Sequence, residues 1–279
     1  MSSSLTYVYC LVRSAGTPSL RHVPSPVPGG RPVRLLAVPD AGFGRQASGS
    51  GAKPTVQGPE PKARDWLVVS SVSARHYDKA ALDRGLQRLE WVGARALAHE
   101  AVVEHFLSAP ALLPMQLFAL FTSDERAIQH VGRDRRRIGR ILARIGGHLE
   151  WGLRVTLNSP VPESAPRTTR HRGLIPRSGA EYLSHKRDVR QRGRTRLERA
   201  RRDAERAYRA IRQTAVAARR RTEVEQAAPG SPVVLYAAFL VRAGSRRAFQ
   251  ASVRRHTRPL ERAGMTVSLT GPWPAYNFI

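Results

Sequence analysis

His99-Glu100, with Glu104 and His105 close behind, holds the residue types of a helical zinc-hydrolase site. Such a site needs two imidazoles for the metal and a carboxylate to activate water. The second imidazole must stand four residues after the first, and that position is Val103. His99 and His105 are six apart, about 120° from superposition on a helix. They therefore read as a solvated or half-buried pair, and no metal is expected. Gly42-Phe43-Gly44-Arg45-Gln46-Ala47 has the glycine spacing of a dinucleotide fingerprint, but Ser48-Gly49-Ser50-Gly51-Ala52-Lys53-Pro54 follows it. No helix N-terminus would then face a pyrophosphate, so the segment reads as a loop and no cofactor is expected. No nucleophile triad, phosphate loop or paired-carboxylate signature stands out, and the sequence reads as that of a non-enzyme.

Arginine is the remaining reactive type. The 279-residue chain carries a formal net charge of +26, and its only lysines are Lys53, Lys62, Lys79 and Lys186. Beyond residue 160 there are 26 Lys and Arg against 9 Asp and Glu, compared with 21 against 12 before it. Clusters at Arg133 to Arg137, Arg199 to Arg202 and Arg219 to Arg221 could contact phosphates. Aromatic residues to stack bases are missing beside them, because Tyr208 is the one aromatic deep in the basic helix and sits on its apolar stripe. A basic nucleic-acid-binding protein is the alternative reading, with a solvated or protein-facing surface preferred. A bias toward arginine codons would produce the same excess.

With 41% hydrophobic residues the chain can bury one large or two modest cores. A lone cysteine, Cys10, excludes an intramolecular disulfide and a cysteine zinc site, and suits a reducing, cytoplasmic setting. The first residues lack a signal-peptide pattern, and the longest apolar run, Val233 to Val241, is strand-sized.

Strands are expected at Leu5 to Val12, Pro32 to Val38 and Asp65 to Ser73, with a flexible insertion over 41–64. Leu82, Leu86, Leu89, Ala96 and Val103 predict one long helix from an Asp78 N-cap to about Leu107. A short buried segment over 112–121 precedes helices opening at Ser123-Asp124-Glu125 and running through Arg133 to Ile145. Leu149, Trp151, Leu153, Val155 and Leu157 share one face of a further strand. A proline-rich loop over 158–179 leads to a very basic helix from about Ala180 to Gln226. Its stripe is Leu197, Ala200, Ala204, Tyr208, Ile211, Ala215 and Ala218. A strand over Val233 to Val241, a helix over Ser245 to Arg262 with Gly264 as its cap, and a strand over Met265 to Leu269 follow. The chain is expected to be α+β in two domains: residues 1–145, and residues 146–279 as a ferredoxin-like domain with a long basic helix and an aromatic tail.

That tail, Leu269-Thr270-Gly271-Pro272-Trp273-Pro274-Ala275-Tyr276-Asn277-Phe278-Ile279, closely resembles the ending of the gas vesicle GvpF/GvpL family. Tyr7-Val8-Tyr9, Ala98 to Val103, Leu113-Pro114-Met115, Glu150 to Val155, Gly179 to Leu183 and Ala237 to Val241 line up in the family's order. One departure falls after Leu-Pro-Met, where the family usually has Arg-Phe-Gly and this chain has Gln116-Leu117-Phe118. The resemblance implies a cytoplasmic or vesicle-associated accessory protein of gas vesicle formation. It also implies that the partners are the shell protein GvpA and other accessory gas vesicle proteins, with no catalytic role. The aromatic tail is expected first to pack on its own domain, and Trp273, Tyr276 and Phe278, with Arg201 and Arg202 of the basic helix, are the candidate protein-contact residues.

Overall fold

The computed structural model describes residues 4–39, 63–158, 179–221 and 231–279. The expected insertion over 41–64, apart from its last two residues, and the interior of the loop expected over 158–179 lie outside them. The chain divides into two compact units: Met1–Leu149 together with Trp273–Ile279, and Glu150–Pro272.

The first unit opens with strands β1 (Ser4–Ser14), β2 (Arg34–Val38) and β3 (Arg64–Ser73). Helices α1 (Ala74–Tyr77), α2 (Lys79–Leu86) and α3 (Leu89–His105) follow. Strands β4 (Ala111–Pro114) and β5 (Leu120–Phe121) lead to α4 (Asp124–Arg133) and α5 (Arg135–Ile145). The sheet order is β2-β3-β1-β4, with β5 also on β1, and every one of these pairs is antiparallel. Thr6 through Val12 of β1 are all buried, as a central strand covered on both faces requires. The β1–β3 register slips at Tyr9, between Val8↔Val69 and Cys10↔Val68. This bulge rephases the strand, so Tyr7, Tyr9, Cys10 and Val12 all join one core with Val68, Tyr77, Val103 and Phe106.

The helix expected from Asp78 to Leu107 is broken in two at Gln87–Arg88. Asp78 does cap α2, its carboxylate accepting the Ala81 N–H at 2.8 Å. Near the end of α2, Gly85 lies against the Trp91 ring so closely that a Cβ there would stand 2.6 Å from it. The turn folds α2 back onto α3 and changes the helical phase. Leu86 and Leu89, expected in the core, are instead 52% and 88% exposed.

The second unit is built from β6 (His148–Leu157), α6 (Gly179–Arg212), β7 (Ala217–Arg220) and β8 (Val233–Arg242). A short 3-10 turn, Ala243–Ser245, leads into α7 (Arg246–Arg262) and then β9 (Met265–Trp273), while the closing 3-10 turn, Tyr276–Phe278, belongs to the first unit. The basic helix thus ends at Arg212, well before residue 226. The Ile211 carbonyl accepts both the N–H and the hydroxyl of Thr214, at 3.0 and 2.7 Å, and closes the last turn. Val216 N–H then bonds Leu240 O at 2.8 Å, which commits the next residues to β7. With that added strand the order is βαββαβ and the sheet runs β7-β8-β6-β9, a ferredoxin-like unit. Trp151, Leu153, Val155 and Leu157 of β6 pack with Ala200, Ala204, Tyr208 and Ile211 of α6 and with Phe249 and Val253 of α7. Gly264 takes a left-handed φ of +78° between α7 and β9, as its role as a cap demands.

Candidate protein-contact surfaces

The histidine that opened the zinc question is 4% exposed, deeper than the half-buried position expected. His99 Nε2 lies 3.3 Å from the Met115 carbonyl, which can only accept, so Nε2 carries the proton. Nδ1 must then accept from the Tyr7 hydroxyl at 2.9 Å, and Tyr7 in turn accepts the Phe118 N–H at 3.3 Å. Burial holds the imidazole neutral and lowers its pKa to about 4, against a smaller opposing pull from the Met115 carbonyl. His105 instead faces the Ser19 carbonyl at 3.3 Å. Among the described residues no group of three or more His, Cys, Asp or Glu could hold a metal ion.

Glu100, next to His99, meets the tail. The Tyr276 hydroxyl donates to Glu100 Oε2 at 2.6 Å, and an Arg144 guanidinium donates to the Phe278 carbonyl. Burial raises the Glu100 carboxyl above its usual range, with the Tyr276 hydrogen bond pulling the other way. Of the three tail aromatics, Phe278 is 2% exposed and acts as an anchor, while Trp273 at 36% offers a surface. The tail was expected to belong with residues 146–272; its last seven residues group with the first unit. No sequence signal at 273–279 indicates this, because an apolar tail is satisfied by any core.

Arg201 and Arg202 are exposed on α6, whose other side carries the buried Ala200, Ala204 and Ala207. On the same helix Arg206 pairs with Asp203 at 2.6 Å and Arg209 with Glu205 at 2.8 Å, and Arg220 of β7 also reaches Glu205. Arg201 and Arg202 belong to one unit and Trp273, Tyr276 and Phe278 to the other. A surface the periodicity missed lies on α3, where Leu89, Gly93 and Leu97 recur every four residues on one side and Leu97 is 75% exposed. No sequence signal marks it, because the leucine spacing runs unbroken across Gln87 and Arg88.

Fold and exposed groups together define a two-unit α+β protein with solvent-facing apolar and cationic side chains on α3, α6 and the tail. Among the described residues no helix is long and apolar enough to cross a membrane. The chain belongs to the gas vesicle synthesis protein GvpL/GvpF family, whose model matches residues 5–279. It is 29% identical over 217 residues to gas vesicle protein L of Streptomyces sp. (strain CB03234), spanning 76% of this chain and 78% of that one. In fold it is similar to the crystal structure of GvpF from Anabaena sp. PCC7120, with a TM-score of 0.60 and 14% identity over 99% of this chain and 96% of that one. GvpF from Microcystis aeruginosa gives a TM-score of 0.58 and 13% identity, with 99% of each chain covered.

Proposed function

We propose that this protein is a non-catalytic accessory factor of gas vesicle formation that binds the major shell protein GvpA, during assembly or as a minor component of the vesicle. The observation that carries this reading is the family match over nearly the whole chain, from residue 5 to residue 279. Two features support a binding role. Leu89 and Leu97 leave apolar surface uncovered on one side of α3, where a partner's apolar side chains could be buried. Trp273, Arg201 and Arg202 add an amphipathic and a cationic element. The physical task is to cover apolar or strand-edge surface on shell subunits before they polymerise, since such surface aggregates when left free.

The test is co-expression of tagged protein with GvpA, followed by recovery of the soluble complex. GvpA is expected to co-purify and to gain solubility. Leu89→Ser/Leu97→Ser is expected to lower the recovered GvpA at least several-fold without lowering the yield of the variant itself. Wild-type protein that neither retains nor solubilises GvpA would sink the proposal. A filter-binding titration in which nucleic acid binds tightly, with affinity falling steeply as salt rises, would shift the assignment to nucleic acid.

A further inference from the structure

Where α1, α2 and the start of α3 meet, the first unit has a concavity of about 340 Å³ lined by Arg75, His76, Arg84, Arg88, Trp91 and Arg95, besides Ala81 and Gly85. Its size falls within the range of small-ligand sites. Four guanidiniums and an imidazole line it, and no carboxylate does. Elsewhere in this unit two arginines do meet carboxylates: Arg13 pairs with Asp65 at 2.8 Å and Arg34 with Asp124 at 2.7 Å. In the pocket, by contrast, Arg75, Arg84 and Arg88 have no carboxylate partner among the described residues, and Arg95 Nε is buried without a hydrogen-bond acceptor. Arg95 is also fixed in place. Its guanidinium lies 3.6 Å over the Trp91 ring and 5.3 Å from the Tyr77 ring, and Nη1 donates to the Trp91 carbonyl at 3.2 Å.

We infer that this pocket binds a small anion carrying several phosphoryl groups. Like charges held in one concavity repel, and an incoming polyanion relieves that repulsion. Arginine forks match the tetrahedral oxygens of a phosphoryl group, and a compact ligand with three or four negative charges fits the count of cations better than a single carboxylate. Arg95 and Phe118 both pack on the Trp91 ring, Phe118 stacked with its centroid 5.5 Å away, so the indole is engaged within the protein and adds no stacking platform for a base. The pocket therefore reads the phosphoryl chain and ignores whatever is attached to it. This inference stands apart from the role in gas vesicle formation, and either can fail without the other.

The experiment is isothermal titration of the full-length protein near physiological salt with tripolyphosphate, ATP, inorganic phosphate and a glutamate-rich peptide. One site is expected. Tripolyphosphate and ATP should bind within about 3-fold of each other, and phosphate at least about 10-fold more weakly. Arg84 and Arg88 are exposed, so Arg84→Ala/Arg88→Ala should leave folding intact and weaken tripolyphosphate at least about 10-fold. Arg246→Ala/Arg247→Ala on α7, which removes the same charge, should change it less than about 2-fold. Equal losses in both variants would reduce the binding to general basicity and overturn the site. So would absence of binding, a strong preference for ATP over tripolyphosphate, or a glutamate-rich peptide that binds more tightly than either.

Discussion

Protons around His99 have fixed places: one on Nε2 toward Met115, one on the Tyr7 hydroxyl toward Nδ1, one on the Phe118 amide toward Tyr7. A charged imidazole would leave the Tyr7 hydroxyl facing a second donor, so acid must oppose this arrangement. The unfolded histidine takes its proton near pH 6.5 and the folded one only near 4, so between those values the unfolded state binds more protons. Stability is therefore lost as pH falls from about 6.5 to 4, by up to roughly 3 kcal/mol. Glu100, whose carboxyl is raised, acts in the opposite sense and remains in place when only His99 is changed. Urea unfolding at pH 7 and pH 4.5 is expected to show a larger drop for wild type than for His99→Gln; equal drops would refute the neutral buried histidine. At this scale the sequence ruled out the helical zinc spacing but not the depth of burial, because the partners of His99 come from β1 and the segment after β4. The loss of a glycine at Phe118 was likewise visible, yet its consequence was not: Phe118 keeps a left-handed φ of +66° and spends its ring on Trp91.

Among the elements, the break between α2 and α3 decides which leucines face solvent and creates the arginine pocket. Its cause is the contact of Gly85 with the Trp91 ring, where an added Cβ would meet three indole atoms at 2.6 to 2.7 Å. Alanine at that position gains up to about 1 kcal/mol of helix propensity, but it must push the indole, and with it Arg95, out of place. Gly85→Ala is therefore expected to destabilise by roughly 1–3 kcal/mol. Gly93→Ala on α3, where nothing lies within 4 Å of the new methyl, is expected to stabilise by up to about 1 kcal/mol. Thermal unfolding of the two variants separates them, and a stabilising Gly85→Ala would remove the stated cause of the break. Periodicity alone read through this break because the leucine spacing is continuous across Gln87 and Arg88. It succeeded for β6, whose alternation of Trp151, Leu153, Val155 and Leu157 has one reading. It failed for β7, a four-residue strand in which Ala217-Ala218-Arg219-Arg220 suits a helix and pairing with β8 decides the outcome.

Both units arrange four strands in the same way. In each, taken in its own chain order, the second strand lies at one edge, then the third, the first and the fourth: β2-β3-β1-β4 and β7-β8-β6-β9. In the second unit a helix, α6, links the first two strands, whereas the described residues 15–33 that follow β1 contain no helix. The α+β class and the ferredoxin-like order of the second unit could be read from alternating strand and helix patterns. Membership of the last seven residues could not, since it depends on Glu100 and Arg144 lying far away in sequence. Removing residues 273–279 should therefore act on the first unit. The truncation leaves the site of a Phe278 that is 2% exposed empty and deprives Glu100 of the Tyr276 hydroxyl. Those two losses amount to roughly 3–5 kcal/mol. Hydrogen exchange is expected to quicken at amides of α3 and α5 and to stay unchanged in β8 and α7. Loss of protection confined to β8 and α7 would mean that the tail stabilises the second unit, and that Tyr276 and Phe278 do not anchor where the structure puts them.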